Sequence, residues 1–229
     1  MRMSSRPRLG AALCLAAGLL LPIAAHAADR PSPRGWLETQ IKRAHALSAR
    51  KVKPDTSAET KWQADAKALI DDILDWDEMT RRSLGSQWRK IDASQQTQFS
   101  GLLRRLIETS YRSRLRTLVR EDVDKPNDVE IDWLDERVRT EGAKLEAKIS
   151  AGEDSALVGF SLNWDEDRWR VYDIAIDDLS TVRTYRSNFN KIVKREGWDA
   201  LIDRLQRKIA DIEAGRADFA KPGGFDGHD

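Results

Sequence analysis

The amino-acid sequence predicts an α+β fold, in which an antiparallel sheet of about four strands is covered by amphipathic helices and preceded by a helical N-terminal part. Three observations carry this expectation. Apolar residues recur at steps of three and four from Trp62 to Leu118, at every second position from Val129 to Ile176, and again at helical steps from Val182 to Ile212. Helices, then a run of strands, then helices is the order of a sheet with helices segregated to one side.

Trp36, Ile41 and Leu47 mark a short, weakly amphipathic first helix. Trp62, Ala66, Leu69, Ile70, Ile73 and Leu74 give the second helix one apolar face. Asp75 and Glu78 have the spacing of a capping box and open a short helix through Met79, which Gly85 ends. Asp92 and Gln95 repeat that start signal. The long helix they open carries Phe99, Leu102, Leu103, Leu106, Ile107, Tyr111, Leu115 and Leu118 on one side, with Arg104, Arg105, Arg112, Arg114 and Arg116 on the remainder.

Val129, Ile131 and Trp133 alternate with polar neighbours, as do Ala143, Leu145, Ala147 and Ile149 after a turn at Glu141-Gly142. Ala156, Val158, Phe160 and Leu162 form a third set, and the turn Asp165-Glu166-Asp167 leads into the fourth, Trp169 to Ile176. Short connections make these strands an antiparallel meander. In the fourth, strict alternation puts Tyr172, Ile174 and Ile176 opposite Trp169, Val171 and Ala175, so both faces are apolar and the strand is expected between two packed layers. Val182, Tyr185, Phe189, Ile192 and Val193 share a face of the next helix, which Gly197 ends. Trp198, Leu201, Ile202, Leu205, Ile209 and Ile212 line the last one.

Arg2, Arg6 and Arg8 precede an apolar run from Leu9 to Ile23, and Ala25-His26-Ala27 places small residues where a signal peptidase reads. Residues 1–27 are therefore expected to be a cleaved secretory signal, too short and wrongly flanked for a transmembrane anchor. Residues 28–35 are expected to be a linker, 36–214 a single domain, and 215–229, with Pro222, Gly223, Gly224 and Gly227, a disordered tail. Cys14, the one cysteine, falls within the signal after Leu13, where a lipid-attachment site wants a small residue, so the mature chain is expected to hold no cysteine. The signal removes three of the 39 basic residues and none of the 38 acidic ones, and 36 against 38 leaves a formal charge of −2. That balance argues against nucleic acid as a partner and against bulk electrostatic adhesion to anionic membranes. No second run of 18 apolar residues follows, so a soluble periplasmic protein is expected.

Asp71, Asp72, Asp75, Asp77 and Glu78 crowd one segment, but helix termination and capping account for them without a metal. His45 lies on a polar helix and His228 in the tail, so no histidine pair forms a zinc site or a triad. There is no Gly-rich phosphate loop and no nucleophile elbow, and no cofactor is indicated. Of the eight tryptophans, Trp36, Trp62, Trp133, Trp169 and Trp198 fall at core positions, which weakens a sugar-binding reading.

Three segments resemble a known family. Leu69 to Trp88, LIDDILDWDEMTRRSLGSQW, resembles the segment that opens MlaC-type proteins, the periplasmic phospholipid-binding (toluene-tolerance) family of ABC-transport auxiliary proteins. Leu74 stands where that family often has Phe. Trp169 to Ile176, WRVYDIAI, resembles its strand signature, and Leu179 to Phe189, LSTVRTYRSNF, its Ser…Tyr-Arg-Ser…Phe helix. The similarity runs from about Trp36 to Ile212. It implies a strongly curved sheet of NTF2-like shape, a cavity for lipid tails and a carrier without enzymatic activity. It also implies a shuttle between an outer-membrane lipoprotein–porin complex (MlaA-like) and the lipid-binding subunit of an inner-membrane ABC transporter (MlaD-like), maintaining outer-membrane lipid asymmetry.

A phospholipid has about 30 tail methylenes at ~0.8 kcal/mol each, so roughly 20 kcal/mol opposes free diffusion through water. On the resemblance, the expected lipid-binding residues are Met79, Leu103, Leu106, Ile107, Val158, Phe160, Tyr172, Ile174, Val182, Tyr185, Arg186 and Phe189. Tyr172 and Tyr185 would set hydroxyls at the cavity mouth, and Arg186 would meet the headgroup phosphate. Without the resemblance the same apolar residues are ordinary core and Arg186 a surface or salt-bridge residue. Other readings stand beside it: a carrier for another amphiphile such as a hopanoid, a periplasmic adaptor with a solid interior, and an NTF2-like isomerase or dehydratase. For that enzyme the candidate acids are Asp173 and Asp177, both expected to face away from Tyr172.

Overall fold

The computed structural model describes residues 30–53, 55–120, 129–152 and 154–216, and the side chains of 111–120, 129 and 151 fall outside that description. The expected signal at 1–27 with Cys14, the tail beyond 216, and the side chains of Tyr111, Leu115 and Leu118 lie outside the described residues.

The first helix, α1 (Pro33–Ser48), begins where the Ser32 hydroxyl accepts the Gly35 N–H at 2.9 Å, with Pro33 in the first turn where its missing N–H costs nothing. This corrects the end of the expected linker at residue 35, because Ser32 and Pro33 act as cap and helix start rather than spacer. The second helix, α2 (Ser57–Ile73), packs on α1 through Leu47, Trp62, Ala66 and Leu69, and the Trp62 indole N–H donates to the Leu47 carbonyl at 2.8 Å.

Both start signals act as caps, but only the second closes a full capping box, because the Glu78 carboxylate pairs with Arg81 and Arg82 and the Asp75 N–H donates to the Val171 carbonyl. Asp75 accepts the Glu78 N–H at 2.9 Å to start α3 (Trp76–Leu84), and Gly85, at φ +59°, closes it. At the start of α4 (Ala93–Arg120), Asp92 accepts the Gln95 N–H at 2.8 Å while the Gln95 side chain accepts the Asp92 N–H at 3.1 Å. Four charged side chains tie α2 to α4. Lys67 reaches Asp71 and Glu108, each at 2.8 Å, and Arg104 reaches Asp71 at 2.8 Å and Glu108 at 2.9 Å. Burial works to raise both carboxyls, but the hydrogen bonds and charges of Lys67 and Arg104 win and hold both below their ordinary values.

Strands β1 (Val129–Arg139), β2 (Gly142–Ala151), β3 (Asp154–Asp165) and β4 (Arg168–Ile176) pair antiparallel in chain order. A two-residue β5 (Leu179–Ser180) adds a fifth strand beside β4, one more than expected. In β4 the register slips: Ser161 pairs with Asp173 but Leu162 with Val171, so Tyr172 is an extra residue. A second irregularity lies in β1 between Trp133 and Asp135. Such bulges bend their strands and, with the normal twist, curve the open sheet. The β4 bulge corrects the expected alternation. Ile174 pairs with Phe160 and Ile176 with Val158, which puts them on the face of Val171, while Tyr172 and Asp173 lie on the other.

The chain closes with α5 (Thr181–Glu196) and α6 (Trp198–Glu213). Leu37 of α1 packs on the face of the sheet that holds Leu145, Phe160 and Val171. The opposite face meets α3, whose Arg82 guanidinium lies 4.3 Å from the centre of the Tyr172 ring. Helices therefore flank β4 on both sides, which corrects the one-sided arrangement. Between α2 and α3 the chain runs along the β4 edge, where the Asp75 N–H donates to the Val171 carbonyl at 2.9 Å. The free oxygen of the Asp75 carboxylate accepts the Asn163 amide at 3.1 Å. Among the described residues no helix is long and apolar enough to cross a membrane.

Asp75→Ala should lose about 2–3 kcal/mol, since it removes a helix cap and strands a partly buried amide. Urea unfolding measures this, and a loss below ~0.5 kcal/mol would show that the cap is dispensable. The lowered carboxyls of Asp71 and Glu108 stabilise the fold above the ordinary glutamate value of 4.5, and that contribution fades as pH falls through their lowered values. Glu108→Gln should flatten the acid limb of stability against pH; an unchanged limb would put the acid sensitivity elsewhere.

Candidate functional site

The helices and the sheet close separate apolar cores. α3 to α6 share Leu84, Phe99, Leu103, Leu106, Phe189, Leu201 and Leu205, whereas the sheet and α1 share Leu37, Leu145, Phe160, Leu162, Trp169 and Val171. A polar seam runs between the two. On it, Asp173 holds the start of α5: one oxygen accepts the Ser180 hydroxyl at 2.6 Å and the other the Val182 N–H at 3.0 Å. The Ser180 oxygen in turn accepts the Arg183 N–H at 3.0 Å. Asp75 holds α3 in the same manner, so both helices facing the sheet have their N-termini fastened by an aspartate.

The seam opens into a pocket of about 450 Å³. Its floor is the sheet face away from α1, with Gly159, Ser161, Tyr172, Asp173 and Ala175, and its opposite wall is Arg82 of α3 with Val182, Arg183 and Arg186 of α5. Arg82 stacks on Tyr172 and pairs with Glu78 at 2.6 Å, and Arg81 pairs with the same carboxylate. Arg183 donates to the Asp178 carbonyl at 2.9 Å. The Arg186 guanidinium has no hydrogen bond or ion pair among the described residues. A second hollow of about 1090 Å³ shares Arg82 and is lined by Asp75, Glu78, Trp88, Gln96, Trp164 and Arg170. Among the described residues no group of three His, Cys, Asp or Glu is placed to hold a metal ion.

Phe160, Tyr172, Val182 and Arg186 meet at the first pocket. The other eight expected residues lie in packed interior to either side of the seam. Val158 and Ile174 sit with Phe160 on the α1 side. Leu103, Leu106, Ile107, Tyr185 and Phe189 belong to the helical core, and Met79 is buried on α3. Tyr185 stacks on Phe189 with ring centres 5.3 Å apart and is fully buried, which corrects its expected place at a cavity mouth. Burial alone pushes its phenol up from 10.0. Asp173 is a second correction: the bulge brings it to the pocket beside Tyr172 instead of away from it. Asp177 accepts the Leu157 N–H at 3.1 Å. Arg82, Gly159, Ser161 and Ala175 went unread. Arg82 lies inside the Leu69–Trp88 segment, but its partner Tyr172 is remote in sequence, and the small residues gain meaning only from strand register.

The family model described as MlaC protein matches residues 43–207. No curated protein gives a significant match. Among solved structures, a phospholipid-binding protein from Ralstonia solanacearum, determined in complex with a phospholipid, aligns with a TM-score of 0.64 at 18% identity, over 80% of this chain and 99% of that one. At this identity the likeness is one of fold.

Because the Tyr185 phenol is held neutral by burial, its contribution is complete below pH 10.0 and is lost as pH rises beyond it. Tyr185→Phe keeps the ring and should flatten the alkaline limb of the stability curve relative to the wild type. Superimposable limbs would mean that the phenol ionises without cost.

Proposed function

Taking as premise that the chain belongs to the MlaC family, we propose that it is a periplasmic carrier that shields the acyl tails of a phospholipid from water. It moves lipid between an outer-membrane complex of the MlaA type and the MlaD-type subunit of an inner-membrane ABC transporter, and so maintains outer-membrane lipid asymmetry. The phospholipid held by the Ralstonia solanacearum protein, which shares the fold, supports the same cargo.

The observation that carries this reading is the polar seam between two closed cores. A carrier has to cover tails whose exposure costs roughly 20 kcal/mol and still release them. Drawing the helices away from the sheet parts Arg82 from Tyr172 and opens the pocket without dividing either apolar cluster. A pocket of about 450 Å³ has the size of a small-molecule site, so two long tails require that widening. Tyr172 and Val182 are the first apolar contacts, and Arg186 meets the phosphate. An NTF2-like enzyme would need Asp173 as a free base, yet both its oxygens are engaged by the start of α5.

Purified protein extracted with organic solvent should release phospholipid detectable by mass spectrometry, and repeated blank preparations would overturn the carrier reading. Tyr172→Asp should abolish lipid retention with an unchanged circular dichroism spectrum. Undiminished lipid content would place the tails on the other face of the sheet.

A further inference from the structure

The five-stranded sheet has two edges, and they are unlike. At one, β5 is two residues long and runs directly into α5. At the other, β1 carries eleven residues, and no described residue hydrogen-bonds to the backbone along its outer side. Leu134 and Val138 on this strand are each 55% exposed. An edge of that length is a template for another strand, and charged side chains ordinarily guard it by repulsion. Here the charges are sorted by sign. Glu130 and Asp132 lie in the first half of β1, and Arg137 and Arg139 in the second; all four are exposed. They share the sheet face that bears the first pocket, since they pair with Ser150, Lys148, Lys144 and Gly142 of β2. Among the described residues Glu130, Asp132 and Arg139 form no ion pair, and Arg137 meets Asp135 at 2.7 Å. The adjoining charges keep the asymmetry. Lys148 against Glu130 and Asp132 leaves the first half acidic, while Asp135 and Glu146 against Arg137, Arg139 and Lys144 leave the second half basic.

Two copies of one strand, set side by side about a two-fold axis perpendicular to the sheet, run antiparallel, and opposed residues must project to the same face. In a regular strand this admits only residues whose numbers differ by an even amount. The unpaired Leu134 reverses that parity. Trp133 pairs with Ala147 but Asp135 with Glu146, so residues on opposite sides of Leu134 share a face when their numbers differ by an odd amount. One register then sets Glu130 opposite Arg139 and Asp132 opposite Arg137, and on the other face Ile131 opposite Val138. Trp133 opposite Glu136 is the pair left unmatched. Symmetry makes each contact occur twice. A shift of two residues one way opposes Asp132 to Asp135, and a shift the other way opposes Glu130 to Glu141. We propose that β1 is a dimer edge, at which two copies of this chain join in that register into one ten-stranded sheet built from two five-stranded ones. The axis places both pockets on one side of the joined sheet, and Asp132 of each copy reaches Arg137, which lines the pocket of the other. The inference concerns assembly and does not rest on the carrier reading.

Sedimentation velocity of the purified protein tests the dimer. Wild type should pass from monomer to dimer as its concentration rises through the micromolar range. Arg137→Glu and Asp132→Arg should each weaken dimerisation by about tenfold or more, because each replaces two attractive cross-strand pairs by two repulsive ones. An equimolar mixture of the two variants should recover association close to the wild type, since in the mixed dimer both opposed pairs again carry opposite charges. If either variant does not fold, the exposed pair Glu130→Arg and Arg139→Glu is read in the same way. Oxidation should link Ile131→Cys to Val138→Cys and should link neither variant to itself. A wild type that stays monomeric throughout overturns the proposal, and β1 amides protected from hydrogen exchange in that monomer would assign the edge to a segment of its own chain. A dimer that both charge variants leave intact, or a mixture no more associated than its components, also overturns it. Neither result alters what organic extraction would show, so the carrier reading stands or falls separately.

Discussion

The fastening of two helix N-termini by two aspartates is the constraint on which the rest of this structure depends. Asp75 caps α3 where the chain runs along the β4 edge, and Asp173, inside β4, reaches across to the start of α5, and each satisfies a backbone N–H that a helix start leaves without a partner. A helix cap is short-ranged and directional, so it sets the point and angle of departure. With α3 and α5 so aimed, α4 and α6 follow, packed on them through Phe99, Leu103, Phe189 and Leu205. The helical layer is thus tied to the sheet by polar contacts at the starts of α3 and α5, and the apolar cluster of α3 to α6 is its own.

That division of labour suits a protein whose cargo must enter and leave. Apolar burial is strong and non-directional, whereas a seam of hydrogen bonds and stacked charge opens at lower cost because water replaces what is lost. Local opening in proteins follows the regions with few shared apolar contacts. Here such a region coincides with the pocket that holds Arg82, Tyr172, Val182 and Arg186. The large helical cluster lies to one side of that pocket, and the cluster of the curved sheet with α1 lies to the other.

Much of this was legible in the residues. The start signals Asp75–Glu78 and Asp92–Gln95 are local, written in side chains that reach only three positions along the chain; both aspartates cap their helices, and the reciprocal bond of a capping box forms at Asp92–Gln95 alone of the two. Phe99, Leu103 and Leu106, and likewise Tyr185 and Phe189, are buried as their spacing required. The start of α1 was obscured because Pro33 serves equally in a spacer and in a first turn. The site was harder. An apolar helix stripe does not say whether it faces a ligand or another helix, and Leu103, Leu106 and Tyr185 face their own layer. Arg82 on Tyr172 and Gly85 under Arg186 are pairings across long stretches of chain, and neither has a sequence period.

The single inserted residue in β4 reaches further than a local kink. A regular strand sends neighbours to opposite sides, so it can offer one side chain to a given spot. The bulge lets Tyr172 and Asp173 share a side, one presenting a flat ring to a cation and the other a carboxylate to a helix start. Removing one residue there would restore a tidy ladder and leave the strand able to supply the ring or the anchor, but not both. The irregular strand thus gives the pocket wall and the helix attachment adjacent places in the chain, so that displacing one bears directly on the other.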